Sequence, residues 1–141
     1  MLLHTWHVLP EPQDESAVVA RWETLREVRA EVQKRIEEVR VSGTVGSSLQ
    51  AEAELALHGH RYTACASIGD DLRFVLITSR TALAEVDSLD EEYVQITASG
   101  HAKCGRCWHY RDDVGHDPEH PELCGRCTAN LYGSGEPRAF A

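Results

Sequence analysis

The chain has 141 residues, with 14 basic and 23 acidic side chains and a formal net charge of −9. This length is enough for one modest domain, or two small packed units, with a buried core. The acidic balance excludes a nucleic-acid binder that works through electrostatic attraction alone. No stretch approaches the roughly 18 apolar residues of a membrane span, and the first residues lack the pattern of a secretory signal. We therefore expect a cytoplasmic protein with no membrane partner.

Residues 16–41 are predicted to form one amphipathic helix. Apolar side chains recur there at intervals of three and four and make one stripe: Val18, Trp22, Leu25, Val28 or Arg29, Val32, Ile36 and Val39. Asp14 or Ser16 could cap the start of this helix, and Gly43 follows its end. The other face is rich in charge, which is typical of a solvated surface. The alternative is that basic side chains on it contact an RNA backbone: Arg26, Arg29, Lys34 and Arg40.

Residues 44–100 are predicted to form a small α/β unit. Leu49 to Leu57 alternate apolar and polar side chains, as in a half-buried strand. Residues 61–68 are predicted as a short helix, 72–78 as a more central strand and 94–98 as a further strand. This order predicts an α+β fold in which the unit packs against the long helix. Cys65 is interpreted as a small buried apolar residue rather than a metal ligand.

Two Cys-x-x-Cys pairs, Cys104/Cys107 and Cys124/Cys127, lie near the C-terminus with 16 residues between them. This spacing is typical of four thiolates that surround one Zn²⁺ tetrahedrally. Such an ion has no open position for water, so we expect a structural zinc and no catalytic residue. The alternatives are two disulfides, which a reducing compartment disfavours, or four unrelated buried cysteines. A three-cysteine site with one nearby histidine is also open: His101, His109, His116 or His120.

The residues of the first pair can serve the fold or contact RNA. Each pair reads Cys-Gly-Arg-Cys, and the glycine is expected to let the backbone turn so that both sulfurs face one point. Trp108 either packs over the metal in a small core or presents its ring to an unstacked base, which is how single-stranded loops are bound. Arg106 would offer a guanidinium beside it, and Lys103 is a candidate phosphate contact.

Several motifs follow one another in order in this segment: Lys103-Cys-Gly-Arg-Cys-Trp-His-Tyr110, Asp113-Val-Gly115, Leu123-Cys-Gly-Arg-Cys127 and Arg138-Ala-Phe-Ala141. Together they closely resemble the C-terminal zinc-binding module of bacterial isoleucyl-tRNA synthetases. Upstream, the pattern from Trp22 to Lys34 resembles the end of the anticodon-binding region of that family. Asp71-Leu-Arg-Phe-Val-Leu76 resembles a strand that precedes the zinc module. The chain as a whole is therefore similar to a C-terminal fragment of such an enzyme.

The resemblance implies a division of the chain and a set of contacts. Residues 1–43 would end the anticodon-binding region, 44–100 would be a small α/β connector, and 101–141 the zinc-binding module. The Cys-x-Arg-Cys-Trp turn would approach the anticodon, with Arg106, Trp108 and Lys103 as RNA contacts. Arg29 and Lys34 are the helix cations that fall on the family pattern.

The whole enzyme, by the same resemblance, would use ATP to ligate isoleucine to its tRNA. The chain carries no nucleotide-binding motif, so the catalytic core would lie in another part of the enzyme. The implied partners are the isoleucine tRNA and the rest of the synthetase in cis, with no DNA, and we expect a monomer. One alternative is a free-standing zinc module that binds RNA or protein. Another is the tail of a DNA-repair glycosylase, which the Met-Leu-Leu start does not favour, because those enzymes place a catalytic proline there.

Overall fold

The computed structural model describes residues 14–136 and has an α+β fold, as predicted. The helices and strands follow one another in this order: α1 (Glu15–Val41), β1 (Ala51–His58), α2 (Gly59–Ala66), α3 (Leu72–Leu76), β2 (Arg80–Val86), β3 (Tyr93–Ala98), β4 (Ala102–Lys103), β5 (Tyr110–Arg111) and α4 (Gly125–Tyr132). The Arg138-Ala-Phe-Ala141 ending lies outside the described residues. None of the described helices is both long and apolar enough to cross a membrane.

Helix α1 forms where the periodic stripe predicted it, but only the middle of the stripe is buried. Leu25, Val28, Val32 and Ile36 are buried, whereas Trp22 is 41 % exposed. Asp14 stands at the N-cap position and its side chain makes no capping hydrogen bond, so the predicted cap is absent. The helix ends at Val41, and Gly43 follows this end as predicted, with a φ of +79° that suits glycine.

Strand β1 lies in the middle of a three-stranded sheet with the order β2-β1-β3. It pairs parallel with β2 and antiparallel with β3. The parallel pair requires a crossover connection, which α2 and α3 supply. One hydrophobic core joins α1 to the sheet, and Leu55 and Leu57 of β1 lie at its centre. Cys65 is buried in the same core, where desolvation raises the pKa of its thiol to about 11.

The predicted strand at 72–78 is wrong, because residues Leu72–Leu76 form helix α3. Leu72 and Leu76 are one helical turn apart, and both enter the core. Ile77 then takes a left-handed φ of 59° and ends the helix. The parallel partner of β1 follows at Arg80–Val86, a segment that was not predicted as a strand because its alanines and glutamate are weak strand formers.

Candidate metal centre

The first cysteine pair lies in the turn of a small hairpin made by β4 and β5. The amide of Trp108 donates a hydrogen bond to the Cys104 carbonyl at 3.0 Å, and the amide of Cys104 donates to the His109 carbonyl at 2.9 Å. Trp108 closes this turn with a φ of 66°, in the left-handed region that side chains other than glycine seldom adopt. The turn therefore places the two sulfurs inward and the indole outward.

The second pair begins helix α4, with Cys124 at its N-cap position and Cys127 in its first turn. Asp113 holds this end in place. One of its oxygens accepts from the Gly125 amide at 3.1 Å, and the other accepts from Arg111 Nε at 3.2 Å. A Cβ at Gly125 would lie 3.0 Å from the Asp113 carboxylate.

The two glycines therefore do not act as the sequence suggested. Neither Gly105 nor Gly125 has a positive φ. Gly105 instead donates a hydrogen bond to the Glu122 carbonyl at 2.9 Å, and Gly125 allows the close approach of Asp113. Both contacts draw the two cysteine pairs toward each other.

The four sulfurs of the two pairs converge on one point. The Sγ atoms of Cys104, Cys107, Cys124 and Cys127 all lie within 4.8 Å of one another. Those of Cys107 and Cys124 are 3.7 Å apart, close to the edge of about 3.8 Å expected for a tetrahedron with zinc–sulfur distances of about 2.3 Å. All five cysteines are free thiols, so the disulfide alternative is not realised. The donor set fits one structural zinc ion.

Histidine does not complete the metal cluster in the described part of the chain. Nδ1 of His109 lies 3.2 Å from the Cys107 carbonyl oxygen, and its Nε2 is buried without a hydrogen-bond partner. The ring points toward the connector and meets the Phe74 ring edge-on, with centroids 5.6 Å apart. Burial lowers the pKa of His109, which keeps the imidazole neutral in this apolar contact.

Phe74 and Ser79 join the zinc-binding module to the connector, and neither was predicted as a functional residue. The guanidinium carbons of Arg73 and Arg126 lie 4.5 and 4.8 Å from the centroid of the Phe74 ring. The amide of Tyr110 donates to Ser79 Oγ at 2.6 Å. These contacts fix the direction in which the cysteine turn points. The only sequence signal for them was one aromatic side chain within a run that resembled a strand.

The predicted RNA contacts fall in two places. Trp108 is 59 % exposed, so it does not pack over the metal as a core residue, and Lys103 Nζ lies 5.2 Å from the centroid of its ring. Arg106 is exposed on the same turn, with one guanidinium nitrogen 3.7 Å from Cys127 Sγ. Arg29 and Lys34 are exposed on α1, and no described contact joins them to the zinc-binding module.

Replacement of Arg106 by glutamine is expected to weaken zinc binding about tenfold, because the guanidinium lies beside a thiolate of a doubly negative zinc–thiolate centre. Competition with a chromogenic chelator measures this affinity. Lys103→Gln is the matched control, since it removes the same charge from the same hairpin but has no described sulfur contact. Equal zinc affinity in the Arg106 variant and the wild type would show that Arg106 does not stabilise the thiolates.

The segment that contains the metal cluster matches a known zinc-finger family. Residues 103–130 match the family described as "Zinc finger found in FPG and IleRS". The matched segment contains all four clustered cysteines and the exposed Trp108. The prediction of a zinc-binding module from the cysteine spacing is thus confirmed.

The whole chain is also similar to one part of much longer proteins. It is 56 % identical over all 141 residues to the isoleucine–tRNA ligase of Azoarcus sp. strain BH72, and 53 % identical over all 141 to that of Aromatoleum aromaticum. It is 55 % identical to that of Bordetella pertussis over 96 % of the chain. The chain spans about 15 % of the length of the first two of these relatives. Together with the zinc finger, this coverage fits a C-terminal fragment.

Proposed function

We propose that this chain, which fits a C-terminal fragment of an isoleucine–tRNA ligase, contacts the anticodon end of the isoleucine tRNA. The observation that carries the proposal is the position of Trp108. Its ring is 59 % exposed on a turn whose neighbouring cysteines belong to the metal cluster. A large aromatic ring that points outward from this turn adds nothing to the stability of the hydrophobic core. It can instead stack on a partner that has flat apolar faces. Unstacked bases of an anticodon loop are such a partner.

The contact relies on stacking more than on charge. Residues 101–141 hold five basic and six acidic side chains, a net charge of −1, so the module attracts RNA only weakly over distance. Base stacking on an aromatic side chain contributes about 1–3 kcal/mol per base. Lys103, close to the Trp108 ring, supplies a cation for a neighbouring phosphate. Arg106 keeps further guanidinium donors for RNA beyond the one near Cys127.

The zinc-binding module serves the enzyme by positioning its tRNA. When the anticodon end is held at a fixed place, the acceptor end is oriented toward a catalytic core in another part of the enzyme. That core would ligate isoleucine to the tRNA with ATP. Residues 1–43 would end the anticodon-binding region, with Arg29 and Lys34 near the RNA backbone, 44–100 would connect, and 101–141 would hold the zinc. We place the enzyme in the cytoplasm as a monomer.

The zinc-loaded chain is expected to bind isoleucine tRNA more tightly than the same tRNA with a replaced anticodon. Trp108→Ala should weaken binding to the native tRNA by about 1–3 kcal/mol, because it removes one stacking surface. Fluorescence titration at low and moderate salt measures both effects. Chelation of zinc should abolish the anticodon preference, since the turn that holds Trp108 depends on the metal.

Tyr93→Ala is the matched control for this experiment. Tyr93 is also an exposed aromatic residue, at 44 %, but it lies on β3, outside both the metal cluster and residues 1–43. Its replacement should leave the anticodon preference unchanged. Equal affinity for both tRNAs that falls steeply with salt would refute the proposal, because it indicates generic phosphate contact.

A further inference from the structure

A polar cleft of about 600 Å³ lies where the zinc-binding module meets the connector. One side is formed by α3 and the start of β2, and the other by β5 and the residue after it. Ser79 lies in this cleft and links its two sides through the hydrogen bond from the Tyr110 amide. The volume falls within the range of about 300–1,000 Å³ that is usual for ligand pockets, but the lining is polar where most such pockets are apolar. The tRNA contact proposed above does not use this cleft.

The lining carries three guanidinium groups and three carboxylates: Arg73, Arg80, Arg111, Glu52, Asp70 and Asp112. These charges are not all paired with one another. Glu52 accepts a hydrogen bond from Ser99 Oγ at 2.6 Å and lies 3.9 Å from Arg80. Arg73 forms no ion pair among the described residues, and its one hydrogen bond goes to the backbone carbonyl of Asp70 at 2.6 Å.

Arg73 and Arg111 face the same space with unused donors. Arg111 donates from Nε to Asp113, which leaves both terminal nitrogens without a described partner. Burial lowers the pKa of Arg73, and the positive charge of Arg111 lowers it further, while Asp70 and Asp71 act in the opposite direction. Two guanidinium groups that repel each other across a cleft are stabilised when an anion lies between them.

We propose that this cleft binds one nucleotide of an RNA strand, with its phosphate between Arg73 and Arg111 and its ribose 2′-hydroxyl at Asp112. The inference adds a second site to the proposed tRNA contact and rests on that proposal. Guanidinium groups bind phosphate oxygens in a bidentate manner. The carboxylates of the lining repel a bare anion, but a carboxylate accepts a hydrogen bond from a ribose 2′-hydroxyl, which DNA lacks. The mixed lining therefore favours RNA over DNA.

The first test removes the cations. Arg73→Gln and Arg111→Gln are each expected to weaken binding of isoleucine tRNA to the zinc-loaded chain about tenfold, as for the loss of a charged hydrogen bond. The slope of log affinity against log salt should fall by about 0.7 for each phosphate contact that is lost. Arg61→Gln is the control, because Arg61 lies on α2, does not line the cleft and pairs with Glu31 and Glu92. It should leave both the affinity and the slope unchanged.

The second test concerns the carboxylates and does not depend on the arginine variants. Arg73 stacks on Phe74, so its replacement could disturb the docking of the zinc-binding module; zinc content and thermal unfolding report this. Asp112 is exposed, and Asp112→Asn should fold normally. The probes are one anticodon stem–loop made as RNA and as DNA. The variant should bind the DNA form more tightly than the wild type does, because a repulsive charge is gone, and its preference for RNA should fall several-fold.

The outcomes separate this inference from the proposed function. If neither arginine variant changes tRNA affinity or salt slope, and Asp112→Asn keeps the preference for RNA, the cleft does not bind a nucleotide. The effect of Trp108→Ala would persist in that case, and the proposed anticodon contact would stand. If the wild-type chain binds no tRNA, the proposed function fails and the cleft proposal fails with it. A rise in tRNA affinity in Arg111→Gln would also overturn the cleft, since the phosphate cannot then lie at that side chain.

Discussion

Removal of zinc by a chelator is expected to unfold residues 101–136 while residues 14–100 stay folded. The small cluster around the metal consists of the four cysteines with Val114 and Leu123, too little apolar surface to hold a fold alone. Structural zinc contributes about 10–16 kcal/mol of binding free energy in peptides of this kind. The core between α1 and the sheet contains none of the metal-cluster cysteines and does not depend on the ion.

Thiol counting during chelation measures this result directly. In the zinc-loaded chain none of the five cysteines should react quickly with a disulfide reagent, and four should react once zinc is removed. Cys65 should stay protected, because it is fully buried and its pKa is raised to about 11. Backbone NMR would locate the unfolded residues in the same sample. Cooperative loss of the signals of α1 together with the zinc would contradict the expectation.

Cys124→Ser should have the same effect as the chelator, since Cys124 is fully buried within the cluster and its amide donates to Cys104 Sγ at 3.4 Å. Cys65→Ala is the matched control. It also removes a buried cysteine, but one that lies outside the metal cluster. It should retain one zinc ion per chain and lower only the stability of the core. Loss of zinc from this control would indicate that the core and the metal centre unfold together.

The metal centre could be predicted from sequence because its information is local. Each Cys-x-x-Cys pair places two sulfurs on one short turn, so tertiary structure is needed only to bring the two turns together. The buried face of α1 could be predicted for the same reason, because helical periodicity is local. Four members of the stripe, from Leu25 to Ile36, recur at helical intervals and are buried.

The failures concern features that depend on distant residues. Residues 72–78 were predicted as a strand because a short apolar run fits a buried helix as well as a strand. In the fold this segment is part of the crossover between β1 and its parallel neighbour β2, and Leu72 and Leu76 pack into the core from it. No local sequence pattern contains this tertiary arrangement. The docking of Phe74 between Arg73, Arg126 and His109 joins residues up to 52 positions apart and was equally invisible.

The glycines show how a correct prediction can rest on a wrong cause. The Cys-Gly-Arg-Cys turns do bring the sulfurs together, but the left-handed residue of the first turn is Trp108 rather than Gly105. The backbone conformation that exposes the indole is therefore the same one that closes the turn. Strain at a residue that is poorly suited to this conformation is often found at binding sites. The left-handed backbone of Trp108 thus supports its proposed role in binding, and the sequence alone did not show this feature.

Leu55→Ala is expected to lower the free energy of unfolding by about 2–5 kcal/mol, because Leu55 is fully buried at the centre of the sheet and its loss leaves a cavity. Urea denaturation followed by circular dichroism measures this change. Leu89→Ala is the matched control, since Leu89 is 66 % exposed, and it should change stability by no more than about 0.5 kcal/mol. Equal effects of the two variants would mean that Leu55 does not support the core.

The same variant can decide whether the connector and the zinc-binding module are separate units, as the proposed boundary at residue 100 requires. The turns of the module close on each other through Gly105 with Glu122 and Asp113 with Gly125, all inside the module. We therefore expect zinc release and helix unfolding to occur at different urea concentrations. Leu55→Ala should lower the urea concentration only of the helix unfolding and leave that of zinc release unchanged. If both transitions coincide and move together, the Phe74 and Ser79 contacts make one cooperative unit, and the boundary at residue 100 has no thermodynamic meaning.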